Sequence, residues 1–149
     1  MATFRFRLQS VLHIKMQQED LQKNELGKAI QKLETEKLEL ARQNGTLNEL
    51  NTEFNKKARK TTVHKLIEFN GYLSLLTSKI KLQKENVNCA ALNVDKVREE
   101  LVKTVKERKI LDKVKEKKQA EFFQEQKKIE QKTNDEIVSY NHKESSSGD

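Results

Sequence analysis

The chain has 149 residues, of which 36% are charged, 34% hydrophobic and 5% aromatic, and its net charge is +7. So little apolar material excludes a globule buried on all sides, and no run of about 18 apolar residues is present to span a bilayer. What remains is a structure with one narrow apolar seam, which asks for about two apolar positions in seven.

The absence of proline and the presence of only four glycines remove the usual helix breakers. The single cysteine, Cys89, excludes an internal disulfide, fits a reducing compartment and reads as a packing residue. The basic opening, with Arg5 and Arg7, runs straight into Glu19 and Asp20 without an apolar core or small-residue cleavage site, so it reads as structure rather than as a targeting peptide.

Residues 4–58 are expected to form a first helical arm. Leu12, Glu19, Leu26, Leu33, Leu40, Leu47 and Phe54 recur by sevens, a column apolar at every position but Glu19. The companion column is read four residues on, at Met16, Lys23, Ile30, Lys37, Asn44, Asn51 and Ala58, and is half polar. Gly27 and Gly45 inside this arm each cost about 1 kcal/mol relative to alanine and suggest close approaches or bends.

Residues 59–71 are expected to be the tip. Thr61, Thr62 and Val63 are β-branched and weak helix formers, and Asn70-Gly71 is a turn-type dipeptide. A reversal centred near residues 63–65 would set Phe54 on Leu73 or Leu76, Leu40 on Val87 or Ala90, and Phe6 near Phe122 and Phe123.

Residues 72–141 form the expected second arm. Its main column is Leu73, Ile80, Val87, Val94 and Leu101, turning basic at Arg108 and Lys115 and apolar again at Phe122 and Ile129. Leu76, Ala90, Val97 and Leu111 stand in the companion column. The seam fades from His142, so residues 142–149 read as a disordered tail. The predicted fold is all-α: an elongated antiparallel two-stranded coiled-coil hairpin over residues 1–141, with a short irregular or helical tip.

The same residues offer no catalytic constellation. His13, His64 and His142 are scattered, and no phosphate-binding glycine loop, nucleophile elbow or zinc motif occurs. Acidic pairs such as Glu19-Asp20 and Glu99-Glu100 belong on solvated helix faces, where no cleft shifts their proton affinity. No enzyme activity, metal or cofactor is expected. Residues 106–118 hold seven bases against three acids. The stretch reads either as a solvated helix face with Glu/Lys pairs or as a binding site. Because acids interleave with the bases and no stacking aromatics accompany them, a site here favours an acidic protein partner over nucleic acid.

Four landmarks resemble the flagellar export protein family FliJ. They are Phe4-Arg5-Phe6-Arg7-Leu8-Gln9-Ser10-Val11-Leu12, then Phe69-Asn70-Gly71-Tyr72-Leu73 followed by Leu76 and Ile80, then the lysine-rich 108–118 segment, and lastly Asp135-Glu136-Ile137. They come in the family's order. The chain departs from the family where the first arm nears the tip, with Asn44, Leu47, Leu50 and Phe54 in place of the usual tyrosines.

The resemblance implies a non-enzymatic, stalk-like coiled coil of the type III export apparatus, at the inner face of the cell membrane at the flagellar base. Its implied partners are the export ATPase hexamer, the cytoplasmic domain of the export gate protein and, for some members, export chaperones. Nucleic acid and direct membrane insertion are not expected. Carried over residue by residue, Phe69, Tyr72, Leu73 and Leu76 would face the gate. Arg5, Arg7, Lys113, Lys115, Lys117 and Lys118 would meet the ATPase ring. The alternative reading is a structural coiled-coil scaffold or a nucleic-acid-associated basic protein.

Overall fold

The computed structural model describes residues 2–148. It contains two helices, α1 (Gln9–Lys57, 49 residues) and α2 (Val63–Ser147, 85 residues), and no strand among the described residues. The helices run antiparallel and pack on one another as a helical hairpin. Their packing falls into two compact units. One is Glu19–Lys103, which holds the turn; the other joins the residues up to Gln18 with those from Thr104 onward.

In the turn-containing unit, the inward residues of α2 are those its sequence columns name. Leu76, Ile80, Ala90 and Val94 are buried, while Leu73, Val87, Val97 and Leu101 are half-buried. On α1, Leu26, Leu33, Leu40, Leu47 and Phe54 face the same seam. The companion column differs from the expectation. It lies three residues after the main one, not four, at Gln22, Ala29, Glu36, Gln43 and Leu50. Ile30, in the expected column, is 39% exposed.

The reason lies across the seam, where α2 presents Gln83, itself buried. The Gln83 side-chain amide donates to the Glu36 backbone carbonyl at 3.0 Å and to its carboxylate at 2.5 Å. An apolar side chain at position 36 would take the carboxylate acceptor away from the buried Gln83 amide and leave it only the backbone carbonyl, which burial penalises.

The turn occupies residues 58–62. The Lys60 N–H donates to the Lys57 carbonyl at 3.1 Å, and the Thr61 hydroxyl donates to the same oxygen. Thr62 then caps α2: its hydroxyl accepts the Lys65 N–H at a long 3.5 Å, and its carbonyl accepts the Leu66 N–H at 3.2 Å. With the helix started there, Asn70-Gly71 lies inside α2 and not in a turn.

The earlier turn also displaces the expected pairing. Phe54 stacks on Phe69, with ring centroids 4.4 Å apart and planes 14° from parallel, rather than on Leu73 or Leu76. Phe69 stands one heptad before Leu76. Columns that repeat every seven residues look the same after such a slip, so apolarity cannot detect it.

No close approach explains the glycines. Built on the backbone, a Cβ at Gly27, Gly45 or Gly71 meets nothing within 4 Å, and no residue has positive φ among the described residues. Cys89 is exposed, one position off the buried Ala90, and is not a packing residue.

In the terminal unit, residues 2–8 are not helical, and the first arm starts at Gln9 instead of residue 4. Exposure alternates: Phe4 and Phe6 are half-buried, whereas Arg5 and Arg7 are exposed. That period of two belongs to extended chain; helical turning would send Phe4 and Phe6 to opposite sides. A turn in which the Gln9 N–H donates to the Phe6 carbonyl at 3.2 Å feeds α1.

Leu12 is buried, and its companion is again three residues on: Lys15 reaches Glu107 of α2 at 2.6 Å, while Met16 is 42% exposed. Further along, α2 outruns its partner. Residues 127–148 are all exposed, yet the helix continues to Ser147 where a disordered tail is the sequence expectation; Asp149 lies outside the described residues.

Candidate protein-binding surfaces

Near the turn, the four residues of the middle motif divide between two faces of α2. Phe69 is held by its stack on Phe54, Leu73 is half-buried, and Leu76 is among the most buried side chains of the seam. Tyr72 alone points outward, half of it exposed.

Beside Tyr72 on that outer face stand Leu75 and Leu82, a heptad apart and both more than half exposed. These two leucines escape a reading organised around the strongest columns. They are, however, the apolar residues left over once Leu73, Leu76 and Ile80 are assigned inward. A Tyr-Leu-Leu stripe on a solvent face is the kind of feature that protein partners use, since aromatic and apolar groups are enriched at interface cores.

In the terminal unit, the basic residues distribute around a groove between the N-terminal segment and α2. Phe4, Phe6, Leu8, Val114 and Phe122 supply its apolar lining, and Arg5, Arg7 and Lys118 stand among its walls. The groove has a volume of about 740 Å³. Phe4 packs obliquely on Phe122 at 5.6 Å, and Phe122 meets Phe123 edge-on at 5.9 Å.

A second, adjacent depression brings Arg5 together with Lys115. Lys113 and Lys117 are exposed but line neither depression. Several of the cations have acidic neighbours: Lys118 lies 3.7 Å from Glu121, and Arg108 donates to Asp112 at 2.6 Å. The surface is a mixed-charge one with a basic excess, suited to exchangeable contacts more than to a tight grip on a polyanion.

Elsewhere Glu19 is buried in the seam and not on a solvated face, while other ionisable groups stand on the helix surface. The carboxylate of Glu39 is held below its usual range by hydrogen bonds from Arg42, at 3.0 and 2.6 Å, one turn along α1. Among the described residues no group of three or more His, Cys, Asp or Glu side chains could hold a metal ion, and no helix is long and apolar enough to cross a membrane.

The family model described as flagellar FliJ protein matches residues 4–147. The chain belongs to the FliJ family. FliJ proteins serve flagellar protein export, a type III system, as non-catalytic components, and the helical hairpin is the coiled coil expected of one. The match begins at Phe4 and so takes in the FliJ segment that folds here as an extended strap, as well as the exposed end of α2. No curated protein and no solved structure matches the chain significantly.

Proposed function

We propose that this FliJ-family chain is a non-enzymatic stalk of the flagellar export apparatus, binding the export ATPase ring through its terminal unit and the cytoplasmic domain of the export gate through the outer face of α2 near the turn. The observation that carries the reading is the family match over residues 4–147, which takes in both candidate surfaces. Arg5, Arg7, Lys113, Lys115, Lys117 and Lys118 give the terminal unit its basic excess, which draws in acidic surfaces at range and lets them exchange.

On the gate side, Tyr72 is the contact, with Leu75 and Leu82 extending it; Phe69, Leu73 and Leu76 hold the helix that presents it. Export chaperones are further partners, and the site of action is the cytoplasmic base of the flagellum. Nothing in this reading requires chemistry from the chain, because neither surface provides an enclosed site in which a side chain could be poised as an acid, base or nucleophile.

The test is co-purification of the chain with the export ATPase and, separately, with the gate's cytoplasmic domain at low salt. Binding to the ATPase together with faster hydrolysis is expected. Binding to neither would sink the proposal, and a chain that instead forms concentration-dependent multimers or binds DNA with steep salt dependence would favour a scaffold or nucleic-acid role.

A further inference from the structure

The turn concentrates positive charge without any acid. Between Glu53 and Glu68 there is no acidic residue, while Lys56, Lys57, Arg59, Lys60 and Lys65 are all present and all exposed. Among the described residues none of the five makes an ion pair; the one pair in this stretch joins His64 to Glu68 at 3.3 Å. In residues 106–118, by contrast, three acids stand among the bases, and Arg108 pairs with Asp112.

Lys56 and Lys57 have a local reason to be there, because cations favour the last turn of a helix. Lys65 has the opposite situation. It sits in the first turn of α2, where the helix dipole favours an acid and none is found. Helix stability alone therefore does not account for the cluster.

Amid these cations the first two turns of α2 expose aliphatic side chains, Val63 at 73% and Ile67 at 65%. The platform beneath is firm: Phe54 and Phe69 stack under the turn, and Leu66 is half-buried beside them.

We infer that this turn docks on an anionic phospholipid surface, the five cations lying among the headgroups and Val63 and Ile67 entering the boundary of the acyl region. One signal alone gives only marginal membrane attachment, whereas a polybasic patch combined with apolar insertion holds better, and the turn supplies both within a dozen residues. Nucleic acid would use the cations but has no place for two exposed aliphatics, and the turn's own aromatic rings are occupied with each other. The inference goes beyond the export reading and stands or falls without it.

The experiment is sedimentation of the full chain with vesicles of phosphatidylcholine alone or containing about 30% phosphatidylglycerol, at about 0.1 M salt. Binding is expected only where phosphatidylglycerol is present. Lys57→Gln, Arg59→Gln and Lys60→Gln together should lower the partition coefficient about a hundredfold, and Val63→Ser with Ile67→Ser about tenfold. Lys127→Gln, Lys128→Gln and Lys132→Gln remove the same charge from the exposed end of α2 and should change it less than about threefold.

Far-UV circular dichroism establishes that each variant keeps its helix. The inference is overturned if the unaltered chain ignores phosphatidylglycerol or if the control triple variant loses as much binding as the turn variant. It is equally overturned if duplex DNA is bound more tightly than the vesicles through the same turn residues.

Discussion

Gln83 sits in the α2 seam between Ile80 and Val87 and gives both hydrogens of its amide to Glu36, while its own oxygen accepts the Asn86 side-chain N–H at 3.3 Å. Replacing it with alanine should cost about 1–3 kcal/mol in urea unfolding, since the Glu36 carboxylate loses a buried donor. Leucine at both Gln83 and Glu36 should recover most of that loss, but at the expense of pairing specificity. Light scattering would then report dimers beside the hairpin, because a polar layer restricts register in a way leucine does not.

Gln22 and Gln43 make the converse case. Their side-chain carbonyl oxygens are buried without a hydrogen-bond partner, so Gln43→Leu should raise stability by about 1 kcal/mol. Gly27→Ala and Gly45→Ala should each add about 0.5–1 kcal/mol by thermal melting, the added methyl meeting open space.

At the scale of elements, the main heptad columns were legible because they depend only on which positions are apolar, and Leu73 to Leu101 on α2 needed nothing more. Three features depend on something else. The pairing of Phe54 with Phe69 follows from where Thr62 starts α2, a matter of capping. The companion column at Lys15 and Glu36 follows from what α2 offers in return, which apolarity does not record. The extended strap at Phe4 and Phe6 was visible as an alternation, but the heptads beginning at Leu12 invite the helix to be read through it.

Thr62→Ala should lower stability by about 1 kcal/mol. Hydrogen exchange should separate the two parts of α2 more sharply. Amides of residues 127–147, exposed on every side, should exchange close to the rate of an isolated helix, whereas those around Leu76, Ile80 and Val94 should require global unfolding.

For the molecule as a whole, the sequence motifs located the candidate surfaces but could not orient them. Phe69 and Leu76 belong to the middle motif and face inward; Leu75 and Leu82 lie among or just beyond its residues and face out. A motif marks positions along a helix, and only the packing partner decides which of them solvent sees. Tyr72→Ala with Leu75→Ala should therefore weaken capture of the gate domain at least about tenfold while leaving the melting temperature within about 2 °C, since both side chains are half exposed or more. Phe69→Ala should do the reverse, lowering the melt before it affects binding.

The rung formed by Gln83 and Glu36 also bears on how such a chain can evolve. Its seam tolerates a gain or loss of seven residues in an arm, because every apolar column is restored, but this rung, like the contact of Lys15 with Glu107, must be rebuilt from both sides. Insertions and deletions should accordingly be inherited in matched heptads, one in each helix. The unpaired end of α2 after Gln126 has no counterpart to keep step with, and is free to change length by any number.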